Sequence, residues 1–276
     1  MSPIKKVIAA HDLSGLGRCS LSVVLPILSA MGVQAVPLPT AVLSTQTDGF
    51  EGFHFRDLTG DILPYFRHLS EVTSFDAFYS GFLGSAEQIE KMLTITEKLS
   101  GKVPVIIDPV MGDNGALYST FGEEMCREMR RYVGTASLVI PNVTEASFLL
   151  GEEPKESYTK NDIKALLSGV AKLCQGKVVI TGIKSDDTVG CVFTSDGGIT
   201  TGEVYNPSLN RHYPGTGDIF ASVLVGSLMR EKSLSKGVLD ASSFVYNVMK
   251  HSMDYDYPSR EGVLLEDKLP LLMNFS

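Results

Sequence analysis

Short apolar runs alternate with longer stretches of helical periodicity along almost the whole chain. Residues 7–10, Val-Ile-Ala-Ala, read as a strand. A glycine-containing turn and a helix over 20–31 follow, which Ser20 can cap and Gly32 can end. Pro26 inside that helix removes one hydrogen bond and bends it. Further strands are predicted at 33–38, 75–79, 103–107, 137–140 and 177–181, with helices at 86–99, 144–150 and 159–174 among them. Residues 189–203 alternate and contain Ser195-Asp196-Gly197-Gly198, the pattern of a β-hairpin. Helices over 216–229 and 235–251 and a last helical segment near the C-terminus complete the series.

Continuous apolar strands separated by amphipathic helices predict an α/β fold, a mostly parallel sheet with helices on both faces. In such sheets ligands bind beyond the carboxyl ends of the strands. The polar and glycine-rich segments 11–17, 80–85, 108–113, 142–145 and 181–184 each follow a strand, so all are expected on one sheet edge. With no Pro/Ser-rich linker, internal repeat or change of composition, residues 1–276 read as a single domain.

Composition then narrows the function classes. A net charge of −8 lacks the basic face that nucleic acid requires. No stretch reaches the roughly 20 apolar residues of a membrane span, and the apolar run after Lys6 is too short for a signal peptide. Cys19, Cys126, Cys174 and Cys191 show no CxxC spacing, so free thiols in a reducing, cytoplasmic setting are expected.

The most informative segment is Pro214-Gly215-Thr216-Gly217-Asp218-Ile219-Phe220-Ala221. Two glycines around a threonine at the start of an apolar helix let the backbone approach an anion, and the exposed N–H groups favour negative charge. Asp218, in the first turn, is placed to take a proton from a substrate hydroxyl beside that anion site. Read alone, it serves equally well as a helix-start acid favoured by the macrodipole. Asp108 leaves an apolar strand directly, where a carboxylate can hold Mg²⁺ through water, and Asp113 offers a second. Asn142 and Glu145 repeat that logic, and their spacing also fits a helix cap. Two nucleotide signatures fail: Gly15-x-Gly17-x-x-Ser20 lacks a third glycine, and there is no G-x-x-x-x-G-K-[ST]. His11, Arg211 and His212 are open between ligand contact and structural hydrogen bonding. Cys19 reads better as a buried thiol than a nucleophile, and Lys184 as solvent-facing.

Taken in order, His11-Asp12-Leu13-Ser14-Gly15-Leu16-Gly17, Ser44-Thr45-Gln46-Thr47, Ser80-Gly81-Phe82-Leu83-Gly84-Ser85, 108–113, Asn142-x-x-Glu145 and Gly215–Asp218 resemble the ribokinase-like superfamily. The likeness is to its vitamin branch, the pyridoxal (pyridoxine, pyridoxamine) and hydroxymethylpyrimidine kinases. It implies a three-layer sandwich without a separate lid domain, since 32–53 leaves little room for lid strands. It implies ATP-dependent phosphorylation of the 5′-hydroxymethyl group of a B6 vitamer, with hydroxymethylpyrimidine (or its phosphate) as the runner-up substrate. A non-catalytic vitamer- or nucleotide-binding protein is the alternative of another class.

By the same resemblance, Asp218 is the catalytic base, and the N–H groups of Gly215, Thr216 and Gly217 form the anion hole. Asp108, Asn142 and Glu145 order Mg²⁺, with Asp108 and Glu145 as the metal-side carboxylates; a monovalent cation such as K⁺ joins them as a candidate activator. Thr181 with Gly182 contacts ATP phosphate, and Asp113 and Tyr118 lie on the nucleotide-side loop. Asp12, Ser14, Thr47 and Phe82 line the substrate pocket. The branch implies a homodimer. The first loop departs from both patterns: Ala10-His11-Asp12 stands where pyridoxal kinases have Q-S-H, while Asp12, Ser14 and Gly15 keep the hydroxymethylpyrimidine kinase spacing. Phe82 replaces a frequent tyrosine.

Overall fold

The computed structural model describes residues 4–174, 176–195 and 200–273. These divide into two compact units, one running up to Asp76 and resuming at Leu209, the other spanning Ala77–Ser208.

In the first unit, β1 (Lys6–Leu16) is followed by α1 (Leu21–Ala30), β2 (Gln34–Thr45), β3 (Phe55–Asp57) and α2 (Ile62–Val72). β1 lies parallel to β2, and β2 antiparallel to β3. Both long strands outrun the predicted ones, and the loop expected at 11–17 is strand as far as Leu16. The reason is the ladder. Although the side chains turn polar after Ala10, the backbone goes on pairing with β2 as far as Thr45. Register shifts between His11 and Leu13, so Asp12 sits at a bulge, the device by which a strand re-aims a side chain. Pro37 and Pro39 are tolerated because pairing with β3 starts only at Ala41. The helix start at Ser20 differs too: α1 begins at Leu21, and the Ser20 side chain makes no cap. α2 is absent from the predicted series; it buries Ile62 and Phe66, one helical turn apart.

The second unit begins with β4 (Ala77–Ser80), α3 (Ala86–Leu99), β5 (Val105–Ile107), the short hairpin of β6 (Gly112–Asp113) and β7 (Ala116–Leu117), and α4 (Glu123–Val133). β8 (Leu138–Val139), α5 (Val143–Leu150), α6 (Lys160–Cys174), β9 (Lys177–Ser185), β10 (Thr188–Ser195) and β11 (Thr200–Pro207) complete it. Its sheet order is β11-β10-β9-β8-β5-β4, parallel from β4 to β9 and antiparallel beyond. β10 and β11 form the predicted hairpin; of its turn, residues 196–199 lie outside the described residues. The segment 181–184, expected as a loop, is the far half of β9, held in strand by pairing with β10. α4 is absent from the predicted series although its pattern is helical: Met125, Glu128, Met129, Tyr132 and Val133 are buried at helical spacing. Its ends are marked too, with Glu123 and Glu124 opening it and Arg130 and Arg131 closing it, each complementing the helix dipole.

The chain returns to the first unit with α7 (Thr216–Met229), α8 (Leu234–Ser252) and α9 (Leu269–Met273). Every residue of α7 from Ile219 to Ser227 is buried, as befits a helix that is apolar on all sides. It packs against α1 and α8. The α7–α8 approach is close: a Cβ at Gly237 would stand 2.8 Å from Leu224 Cδ1. Val7, Ile8, Val24, Ile27, Val223 and Phe244 are fully buried in this unit. Among the described residues no helix is long and apolar enough to cross a membrane. Replacing Phe244 by alanine is expected to lower unfolding stability by about 3–5 kcal/mol, read from urea unfolding, and to lower activity with it because α8 braces α7.

Candidate active site

α7 begins where it does because Gly215 occupies the left-handed region, with φ 79°. An added Cβ there would stand 1.9 Å from the Arg18 carbonyl oxygen, so only glycine fits. The first intrahelical bond runs from Ile219 N to Gly215 O at 3.0 Å, which leaves the N–H groups of Thr216, Gly217 and Asp218 without a partner further back in the helix. A Cβ on Gly217 would meet nothing within 4 Å, so the backbone there borders open space. An anion can approach these N–H groups and the positive end of the helix dipole.

Asp218, its side chain 14% exposed, accepts a 2.8 Å hydrogen bond on Oδ2 from the Ser20 amide. Burial raises its pKa from 3.8 to about 7; the Ser20 N–H opposes the rise and the nearby Asp12 charge adds to it. His11 Nδ1 stands 4.0 Å from Asp218 Oδ1. That is no ion pair, because burial draws the imidazole down to about 3 and keeps it neutral. Asp12 is buried, and its pKa is raised for that reason; it accepts from the Ser20 hydroxyl at 2.6 Å and the Ser14 hydroxyl at 2.9 Å. Burial, then the charges of Asp218 and Asp12, push the Cys19 thiol up, so it is no nucleophile at neutral pH.

The loop carrying these groups is tied down by the C-terminal segment. Arg18 donates its amide to Glu261 O at 3.1 Å and its Nε to Glu266 at 2.9 Å. Thr47 is exposed and lines a cavity of about 450 Å³ with Gly49, Phe50, Glu51 and Arg260. Gln46 Nε2 bonds Arg260 O at 2.7 Å, and the Arg260 guanidinium lies 4.7 Å from the Phe50 ring centre. Arg211 and His212 have local partners: Arg211 lies over the Tyr213 ring, and His212 meets Asp48 at 3.1 Å.

In the second unit, Asp108 leaves β5 and is buried. Asn142 and Glu145 form a complete capping box on α5. Glu145 accepts from Asn142 N at 2.8 Å and Met111 N at 3.1 Å, while Asn142 Nδ2 bonds Gly112 O at 2.8 Å. Burial raises the Glu145 pKa, and the charge of Asp113 raises it further. Asp113 is exposed on β6, bonded to Asn114 N at 2.7 Å. Thr181 bridges Asn142, and Gly182, with φ 73°, brings its backbone against Asn142 Cβ. Asp113, Asn142, Glu145, Thr181 and Gly182 thus converge. Tyr118 is exposed and joins through its amide, which bonds Met111 O at 2.9 Å. Phe82 packs edge-on against Phe121, with ring centres 6.5 Å apart. Lys184 is exposed. Among the described residues, no three Asp, Glu, His or Cys side chains converge to cage a metal ion. A buried carboxylate with a second one near enough to act on it through its charge still suits a hard cation held through water.

Sequence reasoning missed the Ser20 amide, the Met111 amide and the Thr144 hydroxyl, which accepts from Gly115 N at 3.0 Å. Only Thr144, adjacent to a capping box, had a sequence signal. The other two are main-chain groups.

A buried acid of raised pKa beside a glycine-flanked helix start, on a mostly parallel α/β scaffold, is an arrangement suited to phosphoryl transfer. The chain belongs to the phosphomethylpyrimidine kinase family, whose profile matches residues 25–260. A phosphomethylpyrimidine kinase-type protein of Bacteroides thetaiotaomicron, solved with pyridoxal, is 39% identical; the match covers 98% of this chain and 96% of that one, with a TM-score of 0.90. Pyridoxal kinase from Lactobacillus plantarum is 29% identical over 98% and 96% of the two chains, also at 0.90. Pyridoxal kinase of Dictyostelium discoideum is 28% identical over 260 residues, 85% of this chain and 82% of its own.

Two outcomes follow from the geometry. Gly215→Ala, which drives a Cβ into the Arg18 carbonyl, is expected to lower Tm and abolish turnover together, seen by calorimetry and ATP consumption. The raised Asp218 pKa means the native state keeps a proton that the unfolded state has released. Its contribution to stability is therefore lost as pH rises from about 4 to 7. Asp218→Asn should accordingly melt above wild type at about pH 8 and draw level with it only at about pH 3, below the unfolded carboxyl's pKa.

Proposed function

We propose that this kinase transfers the γ-phosphoryl group of ATP to the 5′-hydroxymethyl group of a B6 vitamer. The observation that carries the reading is Asp218: a carboxyl raised to about 7, in the same first helical turn as unpartnered N–H groups. A base with that pKa is half ionised at neutral pH and matched to a proton it must accept only as the hydroxyl attacks. As the substrate oxygen bonds to phosphorus and the bond to the β-phosphate oxygen breaks, Asp218 takes the hydroxyl proton. The N–H groups of Gly215, Thr216 and Gly217 stabilise the negative charge on the phosphoryl oxygens in flight.

Asp12, Ser14, Thr47 and Phe82 are assigned to the vitamer ring. Asp12 has both carboxylate oxygens occupied by serine hydroxyls, so it acts there with the lone pairs that remain. Asp108, Asp113, Tyr118, Asn142, Glu145, Thr181 and Gly182 are assigned to ATP and its Mg²⁺. Both Glu145 oxygens already accept backbone N–H groups, which supports contact with the ion through water at Asp108 and Glu145. When bound, Mg²⁺ neutralises phosphate charge. K⁺ is tested as an activator by its addition to the assay.

The reading extends to a single kinase domain, since the family match runs through both compact units. It extends to a homodimer, supported by the exposed apolar side chains Leu13, Leu16, Val42 and Phe55 on β1–β3. A cytoplasmic setting agrees with four free cysteines. Substrate choice rests on relatives: one was solved with pyridoxal and two are pyridoxal kinases. The family description favours a pyrimidine as the second reading.

An ATP-consumption assay across pyridoxal, pyridoxine, pyridoxamine and hydroxymethylpyrimidine separates them. Turnover is expected with at least one B6 vitamer; turnover with the pyrimidine alone selects the second reading, and none with any overturns the enzyme. Asp218→Asn should lose at least about a hundredfold in kcat while nucleotide binding by calorimetry is retained.

A further inference from the structure

Ser20 combines two features that do not ordinarily coincide. Its backbone is at φ 48°, ψ −137°, a region that glycine enters freely and that side-chain-bearing residues avoid. A glycine would remove that strain, so what serine contributes here is its hydroxyl. That hydroxyl does not cap α1, the ordinary use of a serine in this position. It donates instead to Asp12 Oδ1 at 2.6 Å, in a buried, charge-assisted bond. The amide of the same residue donates to Asp218 Oδ2 at 2.8 Å. One residue thus ties the bulge of β1 to the first turn of α7, its hydroxyl on one carboxylate and its amide on the other.

We propose that Ser20 is a positioning residue for the transfer base: its hydroxyl, anchored on Asp12, fixes the strained backbone that aims its amide at Asp218. The amide bond has two consequences. It sets which oxygen of Asp218 is bound to the protein, leaving Oδ1 as the one that accepts the substrate proton. It also favours the carboxylate over the acid, opposing burial and the Asp12 charge. The other titratable groups facing Asp218 do not stand in for the amide: His11 Nδ1 is 4.0 Å from Oδ1, beyond hydrogen-bond reach, and Cys19 and Asp12 act on it through charge.

This inference rests on Asp218 being the base, and the test separates the two. Ser20→Gly, Ser20→Ala and Asp218→Asn are assayed with ATP and the B6 vitamer that the wild type turns over, as kcat, KM and pH profile, together with Tm. Ser20→Gly should fold with a Tm no lower than wild type, because glycine relieves the backbone strain. Its kcat should fall about tenfold with KM little changed, the loss expected from one misaligned hydrogen bond to a charged group. The acid limb of its kcat/KM profile should move up by about one pH unit, because the carboxylate loses a donor. Ser20→Ala should show the same kinetic losses, tying them to the hydroxyl. If both serine variants keep wild-type kcat and acid limb while Asp218→Asn is inactive, the positioning role fails and the base assignment stands. A fall in Tm with an unmoved acid limb marks a structural role and likewise overturns the proposal. Should Asp218→Asn retain turnover, the base assignment fails, and the role of Ser20 falls with it.

Discussion

The reacting end of the molecule depends on one close approach, the backbone of Gly215 against the carbonyl of Arg18. Helix α7 would start elsewhere if a Cβ intervened, and its first-turn N–H groups would be displaced with it. From that contact the neighbouring geometry follows in order. Arg18 is pinned by Glu261 and Glu266, and Cys19 and Ser20 lead from it into α1. The Ser20 amide then meets Asp218 in the turn that Gly215 opened. The constraint is steric rather than energetic in kind: it removes alternatives, and weaker polar bonds choose among what remains.

Burial gives the same cluster its chemistry. Three ionisable side chains and a thiol, all buried or largely so, would be costly if each carried a charge. The structure avoids this by lowering His11, raising Cys19, and holding Asp12 and Asp218 partly in check with serine donors. Asp218, raised to about 7, changes state near neutrality. The second unit treats Glu145 similarly, with backbone N–H groups of Asn142 and Met111 moderating a carboxylate that burial pushes towards its acid form. There, the geometry that caps the helix also holds the carboxylate in place.

The sequence made the parallel α/β class legible because buried strands such as 105–107 and 178–180 are continuously apolar and the helices between them are periodic. It made Gly215–Asp218, Asp108 and the Asn142–Glu145 box legible because their residue types are tied to backbone geometry. What it hid were strands that stay strands after their side chains turn polar, as β1 does past Ala10 and β9 past Thr181. Hydrogen-bonding partners, not hydropathy, decide those lengths. It also hid the contact of Ser20 with Asp218, which is made through an amide that every residue but proline possesses.

That last point bears on how such an enzyme can diversify. The groups that steady α7 and its acid from the first loop are a carbonyl at 18 and an N–H at 20, both main-chain atoms. The exposed side chains of Leu13 and Leu16 take no part in either contact, so substitution there reshapes what the loop presents without touching those two main-chain contacts. A lineage built this way can exchange one heterocycle for another without passing through an inactive intermediate. The mixed character of the first loop, part pyridoxal kinase and part hydroxymethylpyrimidine kinase, is the kind of record such freedom leaves.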